Sequence, residues 1–288
     1  MVIVSWNCIE ALRRCLLALN ASKQRERIEV LVVDAGSRDG CGQMDAEFSN
    51  VTVLRMPRNF GKTRARNIGS RTAHGELILF LDPEVEVTPG TVMALAASLD
   101  SDEQAVAVLP RLVDAAGLPA PIGNRLPDRA ALALACRTNS ALPLGPEEET
   151  VELGSDAALL VRKSFLRGMN FLDEKRYSEY WAELELFWRI QSAGKRAVIA
   201  GEPATLHPRQ STVVISRADQ ALLACDRVAG AAAFIAKQSG WGAMISFLAG
   251  QFFGALGAAF REPGYGLRLA FGILSGSRID GTQSGELA

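Results

Sequence analysis

Apolar and polar positions in the first third of the chain follow two alternating periods. Val2–Trp6, Val30–Asp34, Val51–Leu54 and Leu77–Leu81 are short β-branched or Leu-rich runs, each stopping at a polar or turn residue, as strands buried on both faces do. Between them Ile9, Leu12, Leu16 and Leu19 recur at helical spacing, and Thr63–Ala73 keeps the same period. This β-α-β-α order predicts an α/β fold, Rossmann-like, with a mainly parallel sheet flanked by helices. Such sheets bind ligands at the carboxyl ends of their strands. Those ends carry Ser5-Trp6-Asn7, the stretch from Asp34 to Gly40, and Asp82-Pro83-Glu84.

Further along, the spacing predicts a helix at Thr91–Leu99 and a strand at Ala105–Leu109. Residues 114–150, rich in Pro, Gly and Ala and ending in Glu147-Glu148-Glu149, read as loop and variable surface. Regular pattern resumes with a strand at Ala157–Val161, a helix at Glu183–Ala193, short strands at Ala197–Ala200 and Thr205–His207, and helices from about Ser216 onward. The chain therefore divides into a domain over residues 1–215 and a helical segment over 216–288.

Composition narrows the classes. With 48% hydrophobic and 22% charged residues the chain has a globular composition. Its 31 Lys+Arg against 32 Asp+Glu lack the cationic surplus that a phosphate backbone demands, so nucleic acid is not the expected partner. Five cysteines, without a C-x-x-C pair, argue against a disulfide framework or structural zinc and for reduced thiols in a cytoplasmic protein. The N-terminus reaches Glu10, Arg13 and Arg14 before any long apolar core develops, which is not the pattern of a signal peptide.

Nucleotide-binding fingerprints fail. Gly61-Lys62-Thr63 resembles the end of a phosphate loop, but the glycine required five residues earlier is Met56, and no G-x-G-x-x-G follows a strand. What remains is acidic and basic. Asp34 closes the second strand and either accepts hydrogen bonds from a base or ribose or closes an Asx turn into Gly36. Asp82 and Glu84, two residues apart around Pro83, either face one hard cation or form an acidic strand-end turn. Lys62, Arg64 and Arg66 fall in the first turns of a helix, where the macrodipole disfavours cations; they await an anionic ligand or form a solvated face.

Taken together these pieces resemble a known family. A strand ending in Ser5-Trp6-Asn7, a strand running into Asp34-Ala-Gly-Ser-Arg-Asp-Gly40, the helix of Asn59-x-Gly-x-x-x-Ala-Arg-Asn-x-Gly69, and Leu77-Ile-Leu-Phe-Leu-Asp-Pro-Glu-Val85 are similar to the inverting family 2 glycosyltransferases with a GT-A fold, of the kind that builds bacterial polysaccharides. Gly154-Ser-Asp-Ala-Ala-Leu-Leu-Val-Arg162, Phe171-Leu-Asp-Glu174, Trp181 to Arg189 and His207 extend the resemblance to about residue 210. It implies a nucleotide-binding half at 1–110, an acceptor half at 151–210, and transfer of a sugar of hexose type from a nucleotide diphosphate sugar to a hydroxyl of a glycan or lipid-linked acceptor, with Mg²⁺ or Mn²⁺ as cofactor. Carried onto this sequence, Ser5 and Asp34 would contact the base, Arg66 the base or diphosphate, Lys62 the phosphate charge, and Asp82 the ribose or the metal. Glu84 would hold the metal and Glu183 would be the catalytic base; at both positions the family commonly has Asp, so each adds one methylene of reach.

Two rivals remain. A nucleotidyltransferase places a Gly-rich basic loop after the first strand, where Ser5-Trp6-Asn7-Cys8-Ile9-Glu10 stands; a catalytically degenerate assembly protein draws support only from the two Asp-to-Glu departures. Glu183 and Glu185 point to different helix faces, so Glu185 is expected to meet solvent or Arg189 one turn on. Trp181 and Trp188 either fill core or stack on a sugar, with core expected for Trp188. His207 either completes the metal site or is a structural strand-end residue. Finally, Gln238–Phe260 lacks ionisable side chains between Lys237 and Arg261. At about 1.5 Å per residue it is long enough for roughly 30 Å of hydrocarbon. Its Gly, Ala and Gln content predicts instead a helix lying on the cytosolic membrane face, the alternatives being a span or a hairpin folded on the domain.

Overall fold

The computed structural model describes residues 1–120, 123–140, 142, 150–208 and 215–280. Its strands are β1 (Val2–Ser5), β2 (Leu31–Asp34), β3 (Thr52–Arg55), β4 (Leu77–Leu81), β5 (Val85–Val87), β6 (Ala105–Leu109), β7 (Leu112–Val113), β8 (Gly123–Asn124), β9 (Thr150–Val151), β10 (Leu153–Gly154), β11 (Ala158–Arg162), β12 (Arg196–Ile199) and β13 (Ala204–Leu206). Its α-helices are α1 (Ile9–Asn20), α2 (Met44–Glu47), α3 (Lys62–Thr72), α4 (Thr91–Asp100), α5 (Arg129–Thr138), α6 (Lys163–Gly168), α7 (Ala182–Ser192), α8 (Arg217–Ala259) and α9 (Pro263–Ser275).

The main sheet has the order β3-β2-β1-β4-β11-β6-β12-β9. β1, β2, β3 and β4 run parallel, as do β6 and β12, while β11 lies antiparallel to both β4 and β6. A reversed strand begins where its neighbours end, so the residues just before β11 join the carboxyl ends of the parallel strands. Asp82 N–H donates to Ala157 O at 2.7 Å and fixes that junction. A small sheet, β5-β13-β7, covers the same end and sets the His207 N–H on Glu84 O at 2.9 Å.

α3 ties the two halves together. Asn67, inside the Ala-Arg-Asn motif, donates to Leu172 O at 2.8 Å and accepts from Leu172 N–H at 3.0 Å, so a buried side chain clamps the start of the second half. Gly61 precedes the helix at φ +92°, where a side chain would be strained, and a Cβ there would lie 2.6 Å from Ser178 O. The chain closes so tightly because Thr63 N–H donates to that same carbonyl at 2.9 Å.

One expectation is corrected and one refined. The 114–150 stretch is not all loop: Asp128 caps α5 by accepting from Ala131 N–H at 2.8 Å, and the Ala- and Leu-rich run behind it is strongly helix-forming. Glu147–Glu149 lie outside the described residues. At the C-terminus α8 is long and apolar enough to cross a bilayer by length and composition, but Gly240 breaks it with φ 82° and ψ 174°. Its first part buries Ala224, Val228, Ala231, Phe234 and Ile235. Beyond the break, Phe247 and Ala255 are buried and Gln251 Nε2 donates to Ala133 O of α5 at 3.2 Å, so this part folds back on the domain as a hairpin with α9. Its outer face stays open: Trp241 is 73% exposed and Phe260 92%, with Ile245, Phe253, Leu267, Phe271 and Leu274 also exposed.

Candidate active site

At the carboxyl ends of β1 and β4 lies a cavity of about 460 Å³ whose charged wall residues include Lys62, Asp82, Glu84, Asp156, Glu179 and Glu183. Its centre is a four-membered ionic network. Lys62 Nζ reaches Asp156 at 2.8 Å and Asp82 at 3.4 Å; Arg66 reaches Asp156 at 2.8 Å and Asp82 at 3.1 Å. Both cations come from the first turns of α3. The carboxylates come from the end of β4 and from the entry to β11, which the reversed strand brings alongside.

The electrostatics follow from this packing. Burial works against the Lys62 charge and Arg66 repels it, yet Asp156 and Asp82 together raise its pKa above the ordinary value. Burial also opposes the Asp156 charge, but Lys62 and Arg66 hold that carboxyl well below the usual carboxylate range. Glu183 is in the opposite position: burial, helped by the negative charge of Asp156, pushes it from 4.5 up to about 7. A carboxylate with this pKa is suited to receiving a proton near neutral pH.

The amino end of α3 is already occupied. Lys62 N–H donates to Glu179 Oε2 at 2.9 Å, so a carboxylate of the protein takes the place where the sequence suggested an external anion. Arg64 lies over the Phe60 ring at 4.6 Å.

Other expected residues are placed differently. Ser5 and Asp34 are buried beneath the cavity: Ser5 Oγ donates to Asp34 at 3.4 Å, and Ser37 N–H donates to the same carboxylate at 3.2 Å, the Asx-type turn that was the alternative for Asp34. Burial raises the Asp34 pKa despite those bonds. Asp82, Glu84 and His207 all line the cavity but do not form a cluster, because Asp82 is held by Lys62 and Arg66 while His207 Nε2 sits 3.0 Å from Glu86 Oε2. Among the described residues no three His, Cys, Asp or Glu side chains gather to hold a metal ion. Glu185 points away from the cavity, is 2% exposed, and pairs with Arg189 at 2.8 Å and with Lys237. Trp181 is core, its Nε1 donating to Arg227 O at 2.8 Å, and Trp188, half-buried, packs against the core as expected. Tyr180, not Trp181, faces the cavity.

Asp156 and Glu179 are the site residues that sequence reasoning missed. Asp156 stood within the Gly154-Ser-Asp motif, but its role depends on β11 running backwards between β4 and β6.

Residues 1–121 match the model of Glycosyl transferase family 2. Over that stretch the chain is similar to this family. It is 28% identical over 200 residues to a pre-mycofactocin glycosyltransferase of Mycobacterium tuberculosis, a match covering 68% of this chain and 39% of that protein. The chain thus spans about two fifths of the length of that relative. It is 26% identical over 231 residues to an N-acetylglucosaminyl-diphospho-decaprenol L-rhamnosyltransferase of the same organism, covering 72% of this chain and 75% of that one. In fold it is similar to the mannosyltransferase PcManGT of Pyrobaculum calidifontis, solved with GDP-Man and Mn²⁺, at a TM-score of 0.53 and 14% identity over 96% of this chain and 84% of that one. The family 2 fold is GT-A-like, and here its mainly parallel sheet carries additional long C-terminal helices.

Proposed function

We propose that this chain is an inverting glycosyltransferase that moves a sugar of hexose type from a nucleotide diphosphate sugar to a hydroxyl of a glycan or lipid-linked acceptor. The observation that carries the reading is the pairing, in one cavity, of the Glu183 carboxylate, poised near neutral pH, with Lys62, which Arg66 backs from behind the wall through the shared carboxylates Asp82 and Asp156. Glu183 accepts the proton of the acceptor hydroxyl as that oxygen attacks the anomeric carbon from the face opposite the leaving group. The new carbon–oxygen bond forms, the bond to the diphosphate breaks, and a nucleoside diphosphate departs. Lys62 and Arg66 are the protein's own charges for the diphosphate, held in place by Asp82 and Asp156. Ser5 and Asp34 form the floor beneath the base.

Asp82 and Glu84, both lining the cavity, would supply two hard-oxygen ligands to a divalent cation of the Mg²⁺ or Mn²⁺ type, Asp82 giving up its contacts with Lys62 and Arg66 to do so. When bound, such an ion neutralises charge on the leaving diphosphate. His207 supports this wall through its main chain on Glu84 and not through its ring. Residues 1–215 form the catalytic part. The exposed apolar face of residues 216–280 supports a peripheral position on the cytosolic side of a membrane, where a lipid-linked acceptor would be found. One relative carries a lipid diphosphate in its name.

The test is release of nucleoside diphosphate from a panel of UDP-, GDP- and dTDP-sugars with Mn²⁺ or Mg²⁺. Turnover with at least one donor is expected, abolished in Asp82→Ala and retained in Glu84→Asp. Wild-type rates in Asp82→Ala with chelator present would overturn the metal assignment. Absence of both binding and turnover across the panel would leave the assembly-protein reading in its place.

A further inference from the structure

Between α6 and α7 the chain forms neither helix nor strand, yet residues 178–180 all serve the candidate site. Ser178 O accepts from Thr63 N–H at 2.9 Å, Glu179 Oε2 accepts from Lys62 N–H at 2.9 Å, and Tyr180 lines the cavity. Both bonds fall on the first turn of α3, the turn that stations Lys62. The segment does not hold this shape by itself. Trp181 stands at φ 72°, a backbone region unfavourable for a bulky side chain, which persists where the surroundings impose it.

Those surroundings are α8. Asp226 Oδ2 accepts from Glu179 N–H at 3.0 Å, and Trp181 Nε1 donates to Arg227 O at 2.8 Å. The Arg227 guanidinium lies over the Tyr180 ring at 4.0 Å. About one turn further on, Gly230 lets the helix come close: a Cβ there would lie 3.0 Å from Trp181 Cδ1 and 3.3 Å from Tyr180 O. Asp226 is the polar centre of this contact. It is 2% exposed, and its other oxygen, Oδ1, accepts at 3.2 Å from Ile279 N–H, just beyond α9. A carboxylate this deep is costly unless its oxygens accept hydrogen bonds. Burial raises its pKa, and the Glu179 and Ile279 N–H groups, the Ser178 side chain and the Arg278 charge oppose that rise. Asp226 thus joins a main-chain donor of the site to one at the end of the C-terminal hairpin. An amide in its place would offer one acceptor and turn its own donor towards the second N–H.

We propose that Asp226, outside residues 1–215, is a positioning residue of the transferase site: it fixes residues 178–180 and, through Ser178 and Glu179, the first turn of α3, so that Lys62 stands ready for the diphosphate. Its effect on turnover rests on the proposed transfer reaction; its hold on α3 does not. A role in folding alone would weaken the chain evenly. Positioning confines the effect to this segment and α3.

The experiment is residue-resolved hydrogen exchange on the full chain without nucleotide sugar, followed by steady-state kinetics with the donor that turns over. In the wild type the amides of Lys62, Thr63 and Glu179 should show protection equal within about threefold and the same denaturant dependence, because they open together. In Asp226→Ala all three should exchange roughly tenfold faster or more, with the amides of β2 and β4 changed by less than about twofold. Asp226→Asn, which keeps one acceptor, should fall between. Donor KM should rise roughly fivefold or more in Asp226→Ala with kcat within about twofold, since the hold on the diphosphate is lost alike before and at the transition state. Wild-type protection at Lys62 and Thr63 that differs from that at Glu179 would overturn the proposal, and this measurement stands even if Asp226→Ala does not fold. Unchanged exchange at α3 in folded Asp226→Ala, an even rise that includes β2 and β4, or an unchanged donor KM would overturn it as well. A wild type that turns over no donor would count against the transfer reaction and leave the exchange result to decide this proposal.

Discussion

Glu183 and Glu185 stand two residues apart on α7 and meet opposite environments. Glu183 shares its cavity with Asp156 and is costly to ionise; Glu185 is nearly sealed but has two cationic partners. Glu183→Gln should therefore keep donor affinity while lowering turnover by roughly 10²- to 10⁴-fold, the usual contribution of a positioned base. The base acts when deprotonated, so wild-type turnover should rise with pH through a limb near 7, and the residual rate of the Gln variant should lack that limb. The fold favours the neutral form of Glu183, so its contribution to stability is full below its ordinary 4.5 and is lost as pH rises through about 7. Glu185→Gln should do the reverse: turnover per folded molecule is kept, while stability falls by about 1–3 kcal/mol. That is less than for a fully sealed ion pair, because Arg189 and Lys237 still reach solvent. Equal losses of turnover in the two variants would remove Glu183 from the mechanism.

At the level of elements, the parallel strands and α1, α3, α4 and α7 were legible to within one or two residues, because burial on both faces and helical spacing leave strong periodic traces. The site was legible in part. Lys62, Asp82, Glu84, Glu183 and His207 do line one cavity, since strand ends and helix starts are positions a sequence reveals. Asp156 and Glu179 were not, because strand direction and the reach of a loop to a helix end leave no local periodicity. The ring of His207 and the floor position of Ser5 depend on rotamers and depth, which spacing does not encode. α5 was hidden by flanking Pro and Gly that masked a helix-forming run. The start of α3 offers a direct check. Gly61→Ala must either take an unfavourable positive φ, at about 1–3 kcal/mol, or pull away from Ser178 O. A Tm lower by several degrees is expected, with weaker donor binding because Lys62 loses its station. A wild-type Tm would show that the close approach is dispensable.

For the molecule as a whole, the C-terminal helices present one face to the domain and another that remains apolar and open. Trp241, Phe253 and Phe271 are each about 70% exposed, so replacing all three with Ser should leave the fold intact. The wild type should sediment with anionic vesicles and be released by carbonate; the triple variant should stay in solution with unchanged donor turnover. Vesicle binding that survives the triple change, or a wild type indifferent to vesicles, would detach this face from the membrane.

The reversed strand β11 also limits how this protein can be divided. The family match ends at residue 121, which suggests a portable module, yet β4 and β6 within it are not neighbours: each pairs with β11, contributed by residues 158–162. Cut at that boundary, the segment would lose both neighbours of β6, leaving that strand alone across a slot one strand wide from β4, about 9.5 Å at the usual inter-strand spacing. Gene fusions and shuffled chimeras should succeed only when the donor-side and acceptor-side segments travel together, so the natural unit of exchange is longer than the stretch by which the family is identified.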